Sequence, residues 1–154
     1  MKLKILIPVF NDWQSVFKLL EDINFNVSSL DHEISVIIIN DASNHDRKKE
    51  DKNLENISSV KILNMKTNQG HARCIATGLK YVFQKEDFDY VIPMDGDGED
   101  RPEEIKKFIE FIKYDSSRPI VGERIKRSEG IMFRLFYSIH KLITFIFTGQ
   151  SIKF

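Results

Sequence analysis

The chain has 154 residues, 42% of them hydrophobic and 30% charged, with a formal net charge of zero. That is the make-up of one ordinary folded domain with room for a buried core; it excludes a disordered chain and, with Cys74 as the single cysteine, an internal disulfide framework. The zero hides an asymmetry: positions 118–154 hold seven Lys/Arg against two acids, and the compensating acidic excess is densest between Glu86 and Glu104.

In chain order, Leu3 to Val9 is a β-branched-rich run that reads as a buried strand. Broken at Pro8 and ended by Asn11-Asp12, it is too short for a secretory h-region. Trp13, Val16, Phe17, Leu20 and Ile23 then fall at helical spacing, and Asn11 with Gln14 forms a candidate capping box. Ile34 to Ile39 is a second strand, Ser43 to Asn56 a polar crossover that reads equally as helix or loop, and Val60 to Leu63 a third strand. Ala72, Ile75, Ala76, Leu79 and Phe83 mark an apolar stripe after Gly70. Tyr90 to Met94 is a fourth strand. Ile105, Phe108, Ile109 and Ile112 mark a third helix, with Asp100 and Glu103 spaced as its cap and N3 partner. Ile120-Val121, after Pro119, is a candidate for one more short strand.

Ser128 to Thr148 mixes aromatic and aliphatic residues with Arg134, His140 and Lys141. It reads either as one more core-packing helix or as an amphipathic segment lying on a membrane face. No apolar stretch approaches the roughly 20 residues needed to span a bilayer. Cytoplasmic placement, peripheral at the membrane face, is the expectation. Cys74 is expected to be a small buried hydrophobe.

Strands alternating with helices argue for an α/β fold, a mostly parallel sheet with helices on both faces. The polar residues then cluster where strands end: Asn11-Asp12, Asn40-Asp41, Asn68-Gln69-Gly70 and Asp95-Gly96-Asp97. In a parallel sheet these loops share the carboxyl edge, where open α/β sheets bind ligands.

The loop MDGDGED, residues 94–100, crowds four carboxylates together. Like charges so placed repel unless a cation sits among them. Oxygen ligands suit Mg²⁺ or Mn²⁺, with phosphate oxygens completing the shell. A calcium loop counted from Asp95 would want Gly and Glu where Asp100 and Lys106 stand, so that reading fails. Asp95 and Asp97 are the metal candidates, and Asp100 reads as a helix cap. Asp41 is either a turn-forming aspartate or an acceptor for a base ring N–H; Asp12 is either a helix-start charge or a base or ribose contact. Arg73 and the N–H groups after Gly70 could meet a phosphate, while His71 reads as a capping or packing residue. A P-loop and a nucleophile elbow are both missing from the sequence.

Four stretches in order and spacing, Ile7-Pro8-Val9-Phe10-Asn11-Asp12, Ile39-Asn40-Asp41-Ala42-Ser43, Asn68 to Arg73 through Gly78-Leu79, and Met94 to Glu103, resemble family 2 glycosyltransferases. The likeness is to the polyprenyl-phosphate sugar transferase and polysaccharide-synthesis branch. It implies an A-type nucleotide-diphospho-sugar transferase fold, Rossmann-like, over residues 1–124, with residues 125–154 a basic amphipathic tail that begins an acceptor-facing or membrane-facing region. It implies a donor pocket of Pro8, Phe10, Asp12, Asp41, Gly70, Arg73 and Asp95 for a UDP- or GDP-sugar. Asp95 and Asp97 match the family's D-x-D that holds Mg²⁺ or Mn²⁺, Glu99 falls where some members add a ligand, and Asp97 takes the catalytic role. Arg124 and Arg127 fall where members place basic residues for a lipid-phosphate acceptor. Nucleic acid is not among the implied partners. Departures are Asn40 in place of the first acid of the usual pair, and few acids after Arg127 to serve as a base. They leave a second reading, a catalytically incomplete nucleotide-binding module or truncated pseudoenzyme.

Overall fold

The computed structural model describes residues 1–44, 53–114, 119–122 and 131–149. Its elements are β1 (Lys2–Val9), α1 (Trp13–Val27), β2 (Glu33–Asn40), β3 (Ser59–Asn64), α2 (His71–Lys85), β4 (Tyr90–Pro93), a 3-10 turn (Pro102–Glu104), α3 (Ile105–Tyr114) and α4 (Ile131–Thr148). The sheet runs β3-β2-β1-β4 and every pairing is parallel. β1 is paired along its whole length to β2 and at Leu3 to Leu6 to β4.

Period-2 alternation sends the two sides of each central strand to two different cores. Leu3, Ile5, Ile7 and Val9 join Ile34, Val36 and Ile38 on the face covered by α1 and α3. Leu6, Ile37 and Ile39 face α2 through Cys74 and Val82. Because both faces are covered, β1 and β2 read as continuous apolar runs.

Helix α1 buries Trp13, Val16, Leu20 and Ile23 as its spacing predicts. Its cap is Asp12, whose Oδ1 accepts from the Ser15 N–H at 3.3 Å, rather than Asn11, whose side chain is bonded elsewhere. Helix α2 departs more sharply. The expected stripe is largely outward, with Phe83 80% exposed, and the sheet-facing line is Cys74, Gly78 and Val82. Small residues occupy this line because the helix lies close to the sheet: a Cβ on Gly78 would stand 2.5 Å from Leu6 Cδ1 and 2.9 Å from Ile39 Cγ1. Cys74 is buried as expected, its Sγ 3.3 Å from the Ile39 carbonyl, and burial pushes its thiol up to about 11. Asp100 does not cap α3. The 3-10 turn intervenes, and Asp100 Oδ2 accepts from the Asp95 N–H instead. Residues 119–122 carry no strand, and 45–52 of the polar crossover lie outside the described residues.

The α2 face is not wholly apolar. Lys4, 6% exposed, places Nζ 3.3 Å from Ser35 Oγ and 3.6 Å from Glu86 Oε2, and Lys61 donates to Glu86 Oε1 at 2.6 Å. This links β1, β3 and the end of α2 through one carboxylate. The Lys61 hydrogen bond is the main cause holding the Glu86 carboxyl below its ordinary value.

The chain divides into two compact units, Met1–Arg118 and Pro119–Phe154. In the second, α4 carries Lys141 Nζ 5.1 Å over the Tyr137 ring, and its described apolar side chains, among them Phe136, Leu142 and Phe145, are exposed. Among the described residues no helix is long and apolar enough to cross a membrane.

Two outcomes follow from this packing. Gly78→Val should lower stability by about 2 kcal/mol through overpacking against Leu6 and Ile39, measured as a urea midpoint; an unchanged midpoint would mean α2 can shift freely. Glu86 has its folded value lowered, so its contribution is present above the unfolded value of 4.5 and is lost as pH falls through the lower folded value. Glu86→Gln should therefore be less stable than wild type at pH 7 and show a smaller loss on acidification below pH 4.5.

Candidate functional site

Parallel strands deliver every polar loop to one edge of the sheet. After β1 the backbone turns at Asn11 with φ 61°, a left-handed conformation that asparagine tolerates better than most residues. The Asn11 N–H donates to Ser43 Oγ at 2.9 Å and its Oδ1 accepts from the Asn44 N–H at 2.7 Å. Asn40 Oδ1 accepts from the Ser43 N–H, and its Nδ2 donates to Asn64 Oδ1. The ends of β1, β2 and β3 are thus sewn together by short polar side chains.

Asp41 is 4% exposed, and its two carboxylate oxygens accept from the Gln69 and Gly70 N–H groups at 2.8 Å each. Its own N–H donates to the Val9 carbonyl. Gly70, at φ 83°, is the cap residue of α2 and makes no side-chain cap bond, so Asp41 fixes the start of that helix from the neighbouring strand end.

The acidic loop folds back under the end of β1. A Cβ on Gly96 would stand 3.1 Å from the Pro8 carbonyl oxygen and 3.1 Å from Val16 Cγ2, so the loop passes tightly beneath β1 and glycine fits between Asp95 and Asp97 without displacing either neighbour. Asp97 Oδ1 accepts from the Glu99 N–H at 2.9 Å, and Asp100 Oδ2 from the Asp95 N–H at 2.8 Å. These bonds hold the loop in a single tight turn.

A cleft of about 200 Å³ results, lined by Pro8, Phe10 and Asp12 from the end of β1, His71 from α2, and Asp95 and Asp97. His71 Nε2 lies 3.3 Å from Asp95 Oδ1. Burial is the main cause raising the Asp95 carboxyl above its ordinary value; His71 opposes the rise, and Asp100, Asp97 and Glu99 add to it. Two hard carboxylates at the mouth of a cleft suit a divalent cation. Among the described residues no three His, Cys, Asp or Glu side chains stand close enough to form a ready ligand set, so solvent or ligand oxygens would complete the shell.

Of the residues singled out in the sequence, the cleft brings together Pro8, Phe10, Asp12, Asp95 and Asp97. Asp41 and Gly70 stand behind the lining as its support, and Arg73 Nη1 donates to Gln69 Oε1 at 3.0 Å. Glu99 does not line the cleft. Arg124 and Arg127, and the 124/125 boundary, lie outside the described residues. His71, which the sequence reads as a capping or packing residue, lines the cleft; its position directly after Gly70, at the helix start on the carboxyl edge, was the available signal.

A parallel sheet with helices on both faces and a paired-aspartate loop at its carboxyl edge define an A-type, Rossmann-like glycosyltransferase fold. The family model for glycosyl transferase family 2 matches residues 4–152, and the chain belongs to that family. It is 31% identical over 157 residues to an undecaprenyl-phosphate 4-deoxy-4-formamido-L-arabinose transferase of Proteus mirabilis, covering 97% of this chain and 45% of that one. The transferase of the same name from Klebsiella pneumoniae is 27% identical, covering 86% of this chain and 39% of the relative. Among solved structures, S. aureus TarS 1-349 in complex with UDP matches with a TM-score of 0.55 at 19% identity, covering 83% of this chain and 39% of that one. The same protein in complex with UDP-GlcNAc gives a TM-score of 0.54. The chain spans less than half the length of these relatives.

Asp41→Ala should leave the Gln69 N–H without its carboxylate acceptor and the Gly70 N–H with only Asn68 Oδ1 at 3.2 Å, and lower stability by about 2 kcal/mol, read from chemical denaturation. A wild-type midpoint in that variant would show that α2 is anchored by other means.

Proposed function

We propose that the cleft binds the nucleoside diphosphate of a UDP- or GDP-sugar, and that this chain is the donor-binding part of a glycosyltransferase acting on a polyprenyl phosphate or cell-surface glycan. The observation that carries this reading is the cleft itself, which sets Pro8, Phe10 and Asp12 beside Asp95 and Asp97. Phe10 is 46% exposed and free to stack on a base; Asp12 offers a carboxylate to ribose or base N–H and O–H donors. Asp41, Gly70 and Arg73 shape the same edge. Family membership and the UDP and UDP-GlcNAc complexes of TarS support the donor class. The undecaprenyl-phosphate relatives support a lipid-phosphate acceptor.

Asp95 and Asp97 would hold Mg²⁺ or Mn²⁺, with Glu99 as a further ligand and Asp97 in the catalytic role. When bound, that ion supplies Lewis-acid neutralisation of charge developing on the diphosphate leaving group. The chain's own part is to orient the donor between the β1 loop and the acidic loop. A phosphate acceptor is already nucleophilic, so transfer to it needs little help from a base. Arg124 and Arg127 would meet the acceptor phosphate. Residues 125–154 would form the membrane-facing tail: the exposed apolar side chains of α4 and its Lys141 suit the interface at the cytoplasmic face.

Binding without turnover is the second reading, motivated by Asn40 standing where the family's usual pair has its first acid. Calorimetry with UDP and GDP tests the donor site. Affinity should fall about tenfold or more in EDTA and in Asp97→Ala; equal affinity under both conditions would remove the metal from the reading. Transfer of labelled sugar to a polyprenyl phosphate by the purified chain would exclude the binding-only alternative.

A further inference from the structure

The side chains around the cleft divide by hydrogen-bonding chemistry. Asp12, Asp95 and Asp97 end in carboxylates, which when ionised accept hydrogen bonds and donate none, and the other lining residues apart from His71 are apolar or glycine. Among the described lining side chains, His71 is therefore the one that carries an N–H donor. A diphosphate has the matching need, because its charged oxygens act as acceptors.

Arg73, the cation that the sequence offers to a phosphate, does not line the cleft; its Nη1 donates to Gln69 Oε1 at 3.0 Å. His71 stands two residues earlier, at the first position of α2. Its backbone is held from behind: Asp41 accepts from the N–H groups of the two preceding residues at 2.8 Å each, and the Cys74 N–H closes the first turn on the Gly70 carbonyl at 3.0 Å. The imidazole is 58% exposed, so a ligand in the cleft can reach it, and its Nε2 lies 3.3 Å from Asp95 Oδ1. That contact is a charge pairing between half-exposed side chains, which adds little to stability, so the fold loses little if the ring turns to another acceptor. The first N–H groups of a helix carry the positive end of its dipole, which favours an anion at the same place.

We propose that His71 donates a ring N–H to a phosphate oxygen of the nucleoside diphosphate, and so selects the diphosphate over the bare nucleoside. This rests on the donor site proposed above and deepens it. A neutral imidazole already carries one N–H, so the contact needs no change of protonation. Recognition then divides by moiety: Phe10 and Asp12 meet the nucleoside, and His71 meets the diphosphate.

The test uses the full chain with Mg²⁺ present and calorimetry with UDP, GDP, uridine and guanosine, the nucleosides titrated to millimolar concentration. Wild type should bind one of the two diphosphates more tightly than its nucleoside. His71→Ala and His71→Phe, the second keeping a ring without an N–H, should both weaken that diphosphate about tenfold and leave its nucleoside within about twofold of wild type. Circular dichroism of both variants checks that the helix is retained. Wild-type diphosphate affinity in either variant, or an equal loss for nucleoside and diphosphate, would overturn the His71 contact while leaving the donor site standing. Failure of wild type to bind either diphosphate more tightly than its nucleoside would overturn both.

Discussion

The site depends on one buried carboxylate. Asp41 directly follows β2, sits behind the cleft and spends both oxygens on the N–H groups of Gln69 and Gly70. Without it the start of α2 would have only its own short-range bonds to fix it, since Gly70 brings no side chain to cap the helix. Charge-assisted bonds to two adjacent N–H groups are among the stronger polar contacts, and here they set the position of His71 relative to Asp95. The carboxylate that the family resemblance assigns to the donor pocket uses both oxygens, in the folded chain, to brace the start of α2. Each oxygen has a second lone pair, so the brace does not by itself forbid a further donor.

A second constraint comes from β1 as an inner strand of the sheet. Full-length pairing to β2 on one side and pairing to β4 on the other bring the loops after β1 and β4 side by side. The acidic loop then has to pass beneath Pro8 and Val16, and Gly96 is the residue that allows it. A Cβ there would meet the Pro8 carbonyl oxygen and Val16 Cγ2 at 3.1 Å each, so one of them would have to give by a few tenths of an ångström. The glycine in D-G-D is thus a packing requirement set by the neighbouring strand as much as a turn requirement of the loop.

Much of the fold was legible because buried parallel strands have an unmistakable composition: the apolar runs ending at Val9 and Ile39 were placed within a residue or two. The carboxyl-edge loops followed from the parallel order. What could not be read was the inner face of α2, where hydrophobicity pointed to Leu79 and Phe83 while proximity to the sheet selected Cys74, Gly78 and Val82. A helix that packs closely buries its small residues, and a stripe drawn by hydrophobicity alone then selects the wrong side. The caps failed for a related reason. Asn11 and Asp100 had the right identity and spacing, but contacts 33 and five residues away claimed their side chains. His71 reads from sequence as a capping or packing residue because its place in the cleft depends on a loop 24 positions later.

The electrostatics of the cleft bear on how a nucleotide would bind. Burial raises the Asp95 carboxyl, and three further acids in the same loop raise it more, with His71 as the opposing influence. A nucleoside diphosphate approaching this loop brings more negative charge to a place already short of positive charge. In the proposed donor site the same two carboxylates that would repel the diphosphate would attract a divalent cation, and once neutralised would offer a platform for its oxygens. A bound ion would therefore favour the nucleotide in that site by offsetting the charge of the acidic loop.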